Sequence, residues 1–184
     1  ERGSFFIPLA VAGNDTTRTA TSLGMHLLGQ NPDQRAIWQD DIDGVTATAV
    51  DEIVRMASPV TYMRRTVTRP LTLSGQDFET GDRLIMFYGV ANRDPRVFDD
   101  PERFDVRRDP NPHVGFGGPG PHFCLGAHLA RRELAVVFRQ ILTRLPDIEV
   151  TGSPDFLDSL GPPLVGGVKR LPVRFTPTAR IGAG

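Results

Sequence analysis

The sequence predicts a mostly α-helical fold with small β-sheets, and three features indicate it. An apolar and then amphipathic segment covers residues 5–31, and the clearest helical periodicity of the chain covers residues 126–145. Between them, residues 60–90 are rich in β-branched and aromatic residues and are divided by glycine-containing turns. Long helices on both sides of a short strand-rich region therefore favour a helical domain with small sheets.

Three helices are predicted in the first third of the chain. The first covers residues 5–31 and ends before Pro32, which opens a short second helix because proline is tolerated in a first turn. We expect Asp43 to cap a third helix over residues 45–57 and Pro59 to end it. The apolar positions of this third helix have helical spacing, at Val45, Ala49, Ile53 and Met56.

Short strands and a long loop are predicted next. The strands are expected at 61–63, 66–67, 71–73 and 84–87. Residues 92–121 form an irregular segment rich in Pro, Asp, Arg and Gly, and a loop of this length in a compact domain is usually functional. Phe98, Phe104 and Phe116 recur through the segment, which indicates that it is packed.

The last predicted helix covers residues 126–145 and is followed by short strands over 148–176. The helix has an apolar stripe made of Leu129, Leu134, Val137, Phe138, Ile141, Leu142 and Leu145. Turns are expected in the tail at Gly152 and at Gly161-Pro162-Pro163.

Composition excludes several classes of protein. The formal net charge of -1 gives no electrostatic reason to expect nucleic acid or a membrane surface, and no apolar run is long enough for a transmembrane segment. A single cysteine excludes an internal disulfide framework and indicates a reducing compartment, so we expect a cytoplasmic protein. The apolar segment over residues 5–12 needs cover that nothing upstream provides, which predicts a chain cut from something larger.

Cys124 is the candidate for the reactive centre. It lies in FGGPGPHFCLG, residues 116–126, directly before the last predicted helix. The helix start supplies partial positive charge that favours a thiolate, glycines let backbone N–H groups approach the sulfur, and Phe116 and Phe123 offer apolar cover for a cofactor. A thiolate held in this way is a soft, electron-donating ligand suited to haem iron.

Two alternatives to a haem ligand remain open for Cys124. The first is a buried structural cysteine. The second is a zinc site that would also use the nearby histidines, His113, His122 and His128. Structural zinc sites favour several thiolates, whereas this chain has one cysteine.

Two further patterns suggest paired charges. Glu52 and Arg55 are spaced i and i+3 on one predicted helix and can pair, although most such pairs are solvated surface contacts. Arg103, in the sequence PERF, supplies another arginine in the loop that needs anchoring. Arg64 and Arg65 lie in a strand-like segment, as a carboxylate clamp or as simple surface charge.

A polar interruption, AGNDTT at residues 12–17, lies within the first predicted helix. Gly13 costs about 1 kcal/mol in a helix interior, so either a flat cofactor or a neighbouring helix is expected to approach it closely. Asp15 and Thr16 could distort the helical hydrogen bonding, and a carboxylate beside a hydroxyl is a plausible proton relay.

Taken together and in this order along the chain, these motifs resemble the cytochrome P450 family over residues 5–175. The resemblance implies the family's fold, with a long distal helix, an ExxR helix, small sheets, a meander loop, a Cys loop and a proximal helix. Residues 1–184 are then the C-terminal, haem-binding part of one larger domain, whose N-terminal part is absent from this sequence.

The resemblance implies a role for each matching residue. Cys124 corresponds to the iron ligand, and Asp15 and Thr16 correspond to the acid–alcohol pair that delivers protons. The haem contacts that it implies are Ala12, Gly13, Arg65, Phe116, His122 and Gly126. It also implies a structural triad of Glu52, Arg55 and Arg103. Val60 and Thr61 fall where the family's strand borders the substrate pocket.

The resemblance further implies a monooxygenase that binds haem b and inserts one oxygen atom of O2 into a C–H bond of a small hydrophobic substrate. Electrons would come from NAD(P)H through a ferredoxin-type redox partner. That partner would dock on the side of the cysteine, where positive charge is expected from Arg107, Arg108, Arg131, Arg132 and Arg139; a solvated helix face is the alternative.

Two segments differ from the commonest family pattern. Phe116 lies one residue further from Cys124 than in the commonest signature. This longer loop, together with residues 91–95 and 111–115, resembles actinobacterial members that oxidise sterols or methyl-branched lipids. Residues 161–167 depart from the family pattern. Three other functions remain open: a haem-thiolate protein of different chemistry, a haem sensor or carrier without turnover, and a haem-free module.

Overall fold

Residues 2–157 and 164–178 are described by a computed structural model of the chain, in which five helices and eight short strands follow one another. The helices are α1 (Arg2–Gln30), α2 (Pro32–Asp40), α3 (Ile42–Ala57), α4 (Tyr88–Ala91) and α5 (Ala127–Arg144). The strands are β1 (Tyr62–Thr66), β2 (Leu71–Leu73), β3 (Gln76–Phe78), β4 (Arg83–Phe87), β5 (Glu149–Val150), β6 (Asp155–Phe156), β7 (Val168–Arg170) and β8 (Val173–Arg174). The predicted mostly helical fold with small sheets is confirmed.

The core lies where α1, α3 and α5 meet. Its fully buried side chains include Leu28, Trp38, Ile53, Leu134 and Phe138. The rings of Trp38 and Phe138 lie 5.2 Å apart, so α2 closes one side of the same core. Packing of apolar faces from four helices supplies the area that water leaves on folding, which is the main stabilising term.

Gly24 allows the closest approach of α1 to this core. A Cβ built at Gly24 would lie 2.6 Å from the Cζ atom of Phe138 and 2.9 Å from the Cδ1 atom of Ile53. Real side chains do not approach so closely, so a larger residue at position 24 would require Phe138 and Ile53 to shift.

Two contacts fix the relative direction of α1 and α5. Thr17 donates a hydrogen bond to Glu133 at 3.1 Å, and seven residues later along α1, Gly24 faces Phe138. Both helices therefore run in the same direction, and their N-terminal ends leave the core on the same side.

The sheets are four antiparallel pairs. β1 pairs with β4, β2 with β3, β5 with β8, and β6 with β7. In the longest pair, Tyr62 is opposite Phe87 and Thr66 is opposite Arg83. An isolated bridge joins Val60 to Val165.

Several predicted details are wrong at element boundaries. Asp41, not Asp43, caps α3, because its carboxylate accepts the N–H of Gly44 at 2.9 Å. Leu129 belongs to the predicted apolar stripe of α5 but is exposed, whereas the stripe members Leu134, Phe138 and Leu142 are buried. The elements β3 and α4 have no predicted counterpart.

The long loop is irregular and packed, as predicted. No helix or strand occurs between Ala91 and Ala127, within a stretch that the structure describes throughout. Phe98 and Phe104 are buried and Phe116 packs against the core. The predicted turn at Gly161-Pro162-Pro163 lies outside the described residues. Across residues 2–157 and 164–178, no helix has the length and apolar character needed to cross a bilayer.

Candidate functional site

A fully buried ion pair on α3 anchors the irregular segment. The guanidinium of Arg55 donates to both carboxylate oxygens of Glu52, from Nε at 2.7 Å and from Nη2 at 2.8 Å. Both side chains are 0% exposed. The surface-pair alternative is therefore wrong, since these two charges are removed from water and satisfied by each other.

The remaining hydrogen-bonding capacity of this pair is used by the long loop. Arg55 donates to the carbonyl oxygens of Asn92 (2.8 Å), Pro101 (2.7 Å) and Arg103 (3.0 Å). Glu52 accepts three more hydrogen bonds, from the N–H of Asp105, from Asn111 and from Arg108. The two side chains of α3 thereby fix the path of a loop that has no regular hydrogen bonding of its own.

Arg108, not Arg103, is the third charged member of this network. The Arg103 side chain is 61% exposed and its nearest acid is Asp105 at 3.8 Å. Arg108 is 11% exposed, with its Nε 3.2 Å from Glu52. It also donates to the carbonyl oxygens of Asp99, Asp100 and Arg103. Arg103 contributes only its backbone carbonyl.

Cys124 is exposed three residues before the first residue of α5. Its N–H donates to the carbonyl of Phe116 at 2.9 Å, and its own carbonyl accepts the N–H of Ala127 at 3.2 Å. The N-cap, Gly126, has no side chain to cap the helix, so side-chain capping does not compete for the first amides of α5. The buried structural cysteine is thus excluded as an alternative.

Exposed apolar residues flank Cys124. Phe123, Leu125 and Leu129 are each exposed by 45% or more. Apolar side chains on both sides of a single thiol fit a flat apolar ligand that carries one position for a soft donor. This surface also explains why Leu129 departs from the buried stripe of α5.

Four residues at the base of the Cys loop form a group that we call the Asp51 cluster: Asp51, His113, Phe116 and Arg131. Arg131 Nε donates to Asp51 at 2.7 Å, and His113 Nε2 lies 3.5 Å from the same oxygen. The Arg131 guanidinium lies 4.5 Å from the centroid of the Phe116 ring, and the His113 ring lies 5.7 Å from it. Burial raises the pKa of Asp51, but the hydrogen bonds from His113 and Arg131 lower it by more, so the carboxyl is anionic at neutral pH.

Both ring nitrogens of His113, a member of the Asp51 cluster, have partners, which bears on the zinc alternative. Its Nδ1 accepts the N–H of Gly115 at 3.1 Å, so its other nitrogen, Nε2, carries the proton and faces Asp51. The side chain is 3% exposed. Throughout the described part of the chain, no three His, Cys, Asp or Glu side chains form a metal-binding group. The zinc alternative therefore has no site there.

Glycine at position 13 is not required by packing inside this chain. A Cβ built at Gly13 would meet nothing within 4 Å, in contrast to Gly24. Ala12 is exposed as well. The tight-packing alternative is wrong within the described residues, and the surface of α1 at this position is open to an external group.

Asp15 and Thr16 lie on an unbroken part of α1. The Thr16 hydroxyl donates to the carbonyl of Ala12 at 2.8 Å, and Asp15 lies 3.6 Å from Arg18 with about half of its side chain exposed. The expected distortion of the helix is wrong, because helical structure continues through both residues. The hydroxyl keeps its oxygen lone pairs as acceptors while its hydrogen is held by the helix.

The geometry of α1 and α5 places the two open surfaces on one side of the core. Gly13 precedes Thr17 by four residues along α1, and Cys124 precedes Glu133 by nine residues through the start of α5. Because the helices run in the same direction, both Gly13 and Cys124 lie beyond the N-terminal side of their contact.

The other predicted contact residues occupy different places. Arg65 is exposed on β1, opposite Leu84, and donates to the Arg64 carbonyl; His122 is exposed in the Cys loop. Val60 is bridged to Val165, and the N–H of Thr61 donates to the carbonyl of Leu164 at 2.9 Å. Thr19 of α1 donates to Gly166 in the same segment, so residues 164–166 join α1 to the 60–61 segment.

Two residues of the site were missed by sequence reasoning. Asp51 and Asn92 carry no motif signal of their own beyond lying beside Glu52 and in the ANRDP segment. Asn92 is fully buried, donates to Ser58 at 2.9 Å and accepts the N–H of Val114 at 2.8 Å. It therefore ties the end of α3 to the base of the Cys loop.

The residues present fit a haem group. One exposed thiol-bearing residue stands before a helix, apolar residues flank it, and the glycine of α1 is open on the same side of the core. The donor set is a single soft ligand, which suits haem iron and not a multi-ligand metal site. Fold and site together are those expected of a haem-thiolate protein.

Comparison with known proteins identifies the family. The family model described as "Cytochrome P450" matches residues 6–156, and the chain belongs to the cytochrome P450 family. It is 50% identical over 176 residues to a methyl-branched lipid omega-hydroxylase of Mycobacterium tuberculosis, covering 96% of this chain and 40% of that protein. Over the same length it is 43% identical to a steroid C26-monooxygenase of Mycolicibacterium smegmatis, with 96% and 40% covered.

Solved structures agree with this assignment. A cytochrome P450 of Mycobacterium marinum in complex with pseudoionone matches with a TM-score of 0.87 and 46% identity, over 93% of this chain and 40% of that one. The chain spans about 40% of the length of these two curated relatives. The resemblance to actinobacterial lipid- and sterol-oxidising members is therefore confirmed at the level of family and relatives.

Proposed function

We propose that this chain supplies the haem-thiolate centre of a monooxygenase that inserts one oxygen atom of O2 into a C–H bond of a hydrophobic substrate. The single observation that carries the proposal is the exposed Cys124, hydrogen-bonded to Phe116 and positioned before α5. The names of the relatives favour a methyl-branched lipid or a steroid as the substrate class.

In this proposal Cys124 would hold the haem through its iron. Haem b, when bound, supplies the binding and reductive activation of O2. Ala12, Gly13, Phe116 and Gly126 would border the porphyrin, and the small side chains of the first two leave room for a flat ring. The exposed side chains of Arg65 and His122 would donate hydrogen bonds to its carboxylates.

Asp15 and Thr16 would move protons on the distal side. The Thr16 oxygen can accept a hydrogen bond from a water molecule because its own hydrogen is held by the Ala12 carbonyl. The Asp15 carboxylate, about half exposed, can take a proton from solvent and pass it towards that oxygen. Val60 and Thr61, held beside α1 through residues 164–166, would border the substrate.

Electrons would come from NAD(P)H through a ferredoxin-type partner that docks on the cysteine side. Not all five arginines expected on this side have a side chain that such a partner could bind. Arg107 and Arg132 are exposed, Arg139 faces Asp43, and Arg131 is paired with Asp51. Arg108 is wrong as a docking residue, because its charge is used by Glu52.

The optical spectrum of the reduced, CO-treated protein tests the haem-thiolate centre. We expect the long-wavelength band of a thiolate ligand, and its loss in a Cys124→Ser variant. The matched control is Ser153→Ala, at an exposed serine between β5 and β6, which should keep the band. A wild-type protein without this band contradicts the proposal.

Oxygen use tests the monooxygenase step separately. Thr16→Ala is expected to lower the product formed per O2 consumed by at least about tenfold, as for removal of a proton-transfer group. Thr21→Ala is the matched control, since Thr21 makes the same kind of hydrogen bond, to the Thr17 carbonyl at 2.9 Å, further along α1. Unchanged coupling in Thr16→Ala would favour a haem-thiolate protein without monooxygenase turnover.

A further inference from the structure

The Asp51 cluster connects α3 and α5 to the base of the Cys loop. Asp51 lies on α3 and Arg131 lies on α5, whereas His113 and Phe116 lie in the irregular segment that leads to Cys124. The two partners of Asp51 approach it from different elements, Arg131 Nε at 2.7 Å and His113 Nε2 at 3.5 Å. One carboxylate thus fixes two cationic or hydrogen-bonding side chains from separate parts of the fold.

Both of these partners contact the same aromatic ring. The Arg131 guanidinium lies 4.5 Å from the centroid of Phe116, where a cation is attracted by the ring face. The His113 ring lies 5.7 Å away at an interplanar angle of 53°, a tilted arrangement that aromatic pairs prefer. The position of the Phe116 ring is therefore set by groups that Asp51 holds.

Phe116 in turn makes the backbone hydrogen bond that closes the loop on Cys124. Its carbonyl accepts the N–H of Cys124 at 2.9 Å. Gly117 follows directly with φ of +89°, a conformation that glycine adopts without strain, so the chain turns sharply after Phe116. Ring and carbonyl belong to one residue, and holding the ring therefore also holds the acceptor of the Cys124 amide.

We propose that Asp51 is a positioning residue for Cys124, acting through Arg131, His113 and the ring of Phe116. This inference rests on the proposed function, because it assigns Asp51 to the placement of the haem ligand. Asp51 would act without touching Cys124. It fixes Phe116, whose carbonyl accepts the hydrogen bond of the cysteine amide.

The role is distinct from that of the neighbouring Glu52. Glu52 is fully buried and bonded to Arg55, Arg108 and Asn111, which order residues 92–111. Asp51 is partly exposed, and its two partners meet at Phe116. Two adjacent carboxylates of α3 therefore act on two different segments of the long loop.

The test uses the haem-loaded protein and the lifetime of its thiolate-type CO band. Asp51→Asn keeps the shape of the side chain and an acceptor for His113 but removes the charge that holds Arg131. We expect this variant to lose the band about tenfold faster than wild type, as for loss of a charged hydrogen bond. The reduction potential of the haem should also shift, because it depends on the surroundings of the axial ligand.

Thr48→Val is the matched control. Thr48 lies one turn before Asp51 on α3 and donates to the Val106 carbonyl at 2.6 Å, away from the Cys loop. It should change the band lifetime by less than about twofold, since additivity holds for separated sites. Equal lifetimes in Asp51→Asn and Thr48→Val, with the band present in wild type, would overturn the inference and leave the proposed function standing.

A double-mutant cycle shows whether Asp51 acts through the ring. In a Phe116→Leu background, Asp51→Asn should produce little further change in the band lifetime, because the ring that transmits its effect is gone. A full additional effect in that background would overturn the proposed route. If Asp51→Asn does not fold, Arg131→Lys carries the test: it keeps the charge but loses the planar contact with Phe116, and an unchanged lifetime would contradict the inference. Absence of the band in wild type would overturn both proposals.

Discussion

The Glu52–Arg55 pair of α3 anchors one part of the long irregular segment and the Cys124 loop follows at the end of that segment, yet the two are built in opposite ways. In the network, both charges are fully buried and their hydrogen bonds go to groups within the chain. In the loop, the reactive residue is exposed and apolar side chains beside it face outward. The buried network finds its hydrogen-bond partners within the chain, whereas the loop leaves its thiol accessible to another group.

This difference separates what stabilises the fold from what performs the function. A buried ion pair loses the solvation of both charges, so each carboxylate oxygen and each N–H must find a partner. A residue that binds an external cofactor must instead keep its donor atom accessible at the surface of the core. Helix α1 shows the same contrast along its own length, since Gly24 is enclosed and Gly13 is open.

The largest effect is expected from breaking the network. Glu52→Gln should lower the free energy of unfolding by about 3–5 kcal/mol, because Arg55 and Arg108 would keep buried charge without a counter-ion. Denaturant unfolding measures this. Asp43→Asn is the control at an exposed pair and should change stability by less than about 1 kcal/mol. Similar values for both variants would contradict the contrast between the two regions.

Replacing each of the two arginines in the loop tests which one belongs to the network. Arg108→Ala should cost about 2–3 kcal/mol, because Glu52 and three carbonyl oxygens lose a donor. Arg103→Ala should stay within about 0.5 kcal/mol, as expected for an exposed side chain. Equal thermal or denaturant midpoints for the two variants would restore the prediction made from the sequence.

Alanine at the two glycines of α1 sharpens the comparison within one helix. Gly24→Ala should destabilise by about 1–3 kcal/mol, since its Cβ overlaps Phe138 and Ile53. Gly13→Ala should stabilise the helix by up to about 1 kcal/mol while weakening haem binding. Unfolding curves and haem titration measure the two quantities separately. A destabilising Gly13→Ala would show that this surface is packed.

The smallest effect concerns acid pH. The pKa of Asp51 is lowered in the folded chain, so its contribution to stability is present above its ordinary pKa and is lost as the pH falls through the lowered value. The stability difference between wild type and Asp51→Asn should therefore be largest near neutral pH and shrink below about pH 4. Denaturant midpoints across pH check this. A difference that is constant from neutral to acid pH would contradict it.

Local signals allowed much of the fold to be predicted. The helices α1, α2, α3 and α5 follow apolar periodicity with proline or glycine at their ends, and these are properties of neighbouring residues. The Cys loop was evident for the same reason, since glycine, proline and cysteine stand directly before a periodic helix. The cap of α3 was misplaced by two residues because Asp41 and Asp43 are equally suitable cap residues.

Contacts between distant segments could not be predicted in the same way. Arg103 and Arg108 lie in one aperiodic loop, and only the course of its backbone decides which of them reaches Glu52. The Asp51 cluster depends on the approach of α3 to α5, which no local pattern encodes. Leu129 has the spacing of a core residue but is 55% exposed, because the side of α5 that meets the core is decided by packing against α1 and α3 and not by spacing alone.

A small change in the tilt of α1 at Gly24 produces a larger displacement further along the helix. Eleven residues, or roughly 16 Å of helix, separate Gly24 from Gly13, so a tilt of about 5° at the enclosed glycine would displace the open one by more than about 1 Å. The size of the Phe138 and Ile53 side chains would thereby affect how much space remains beside Gly13. A core substitution that never meets a bound molecule would then alter how wide a molecule can enter.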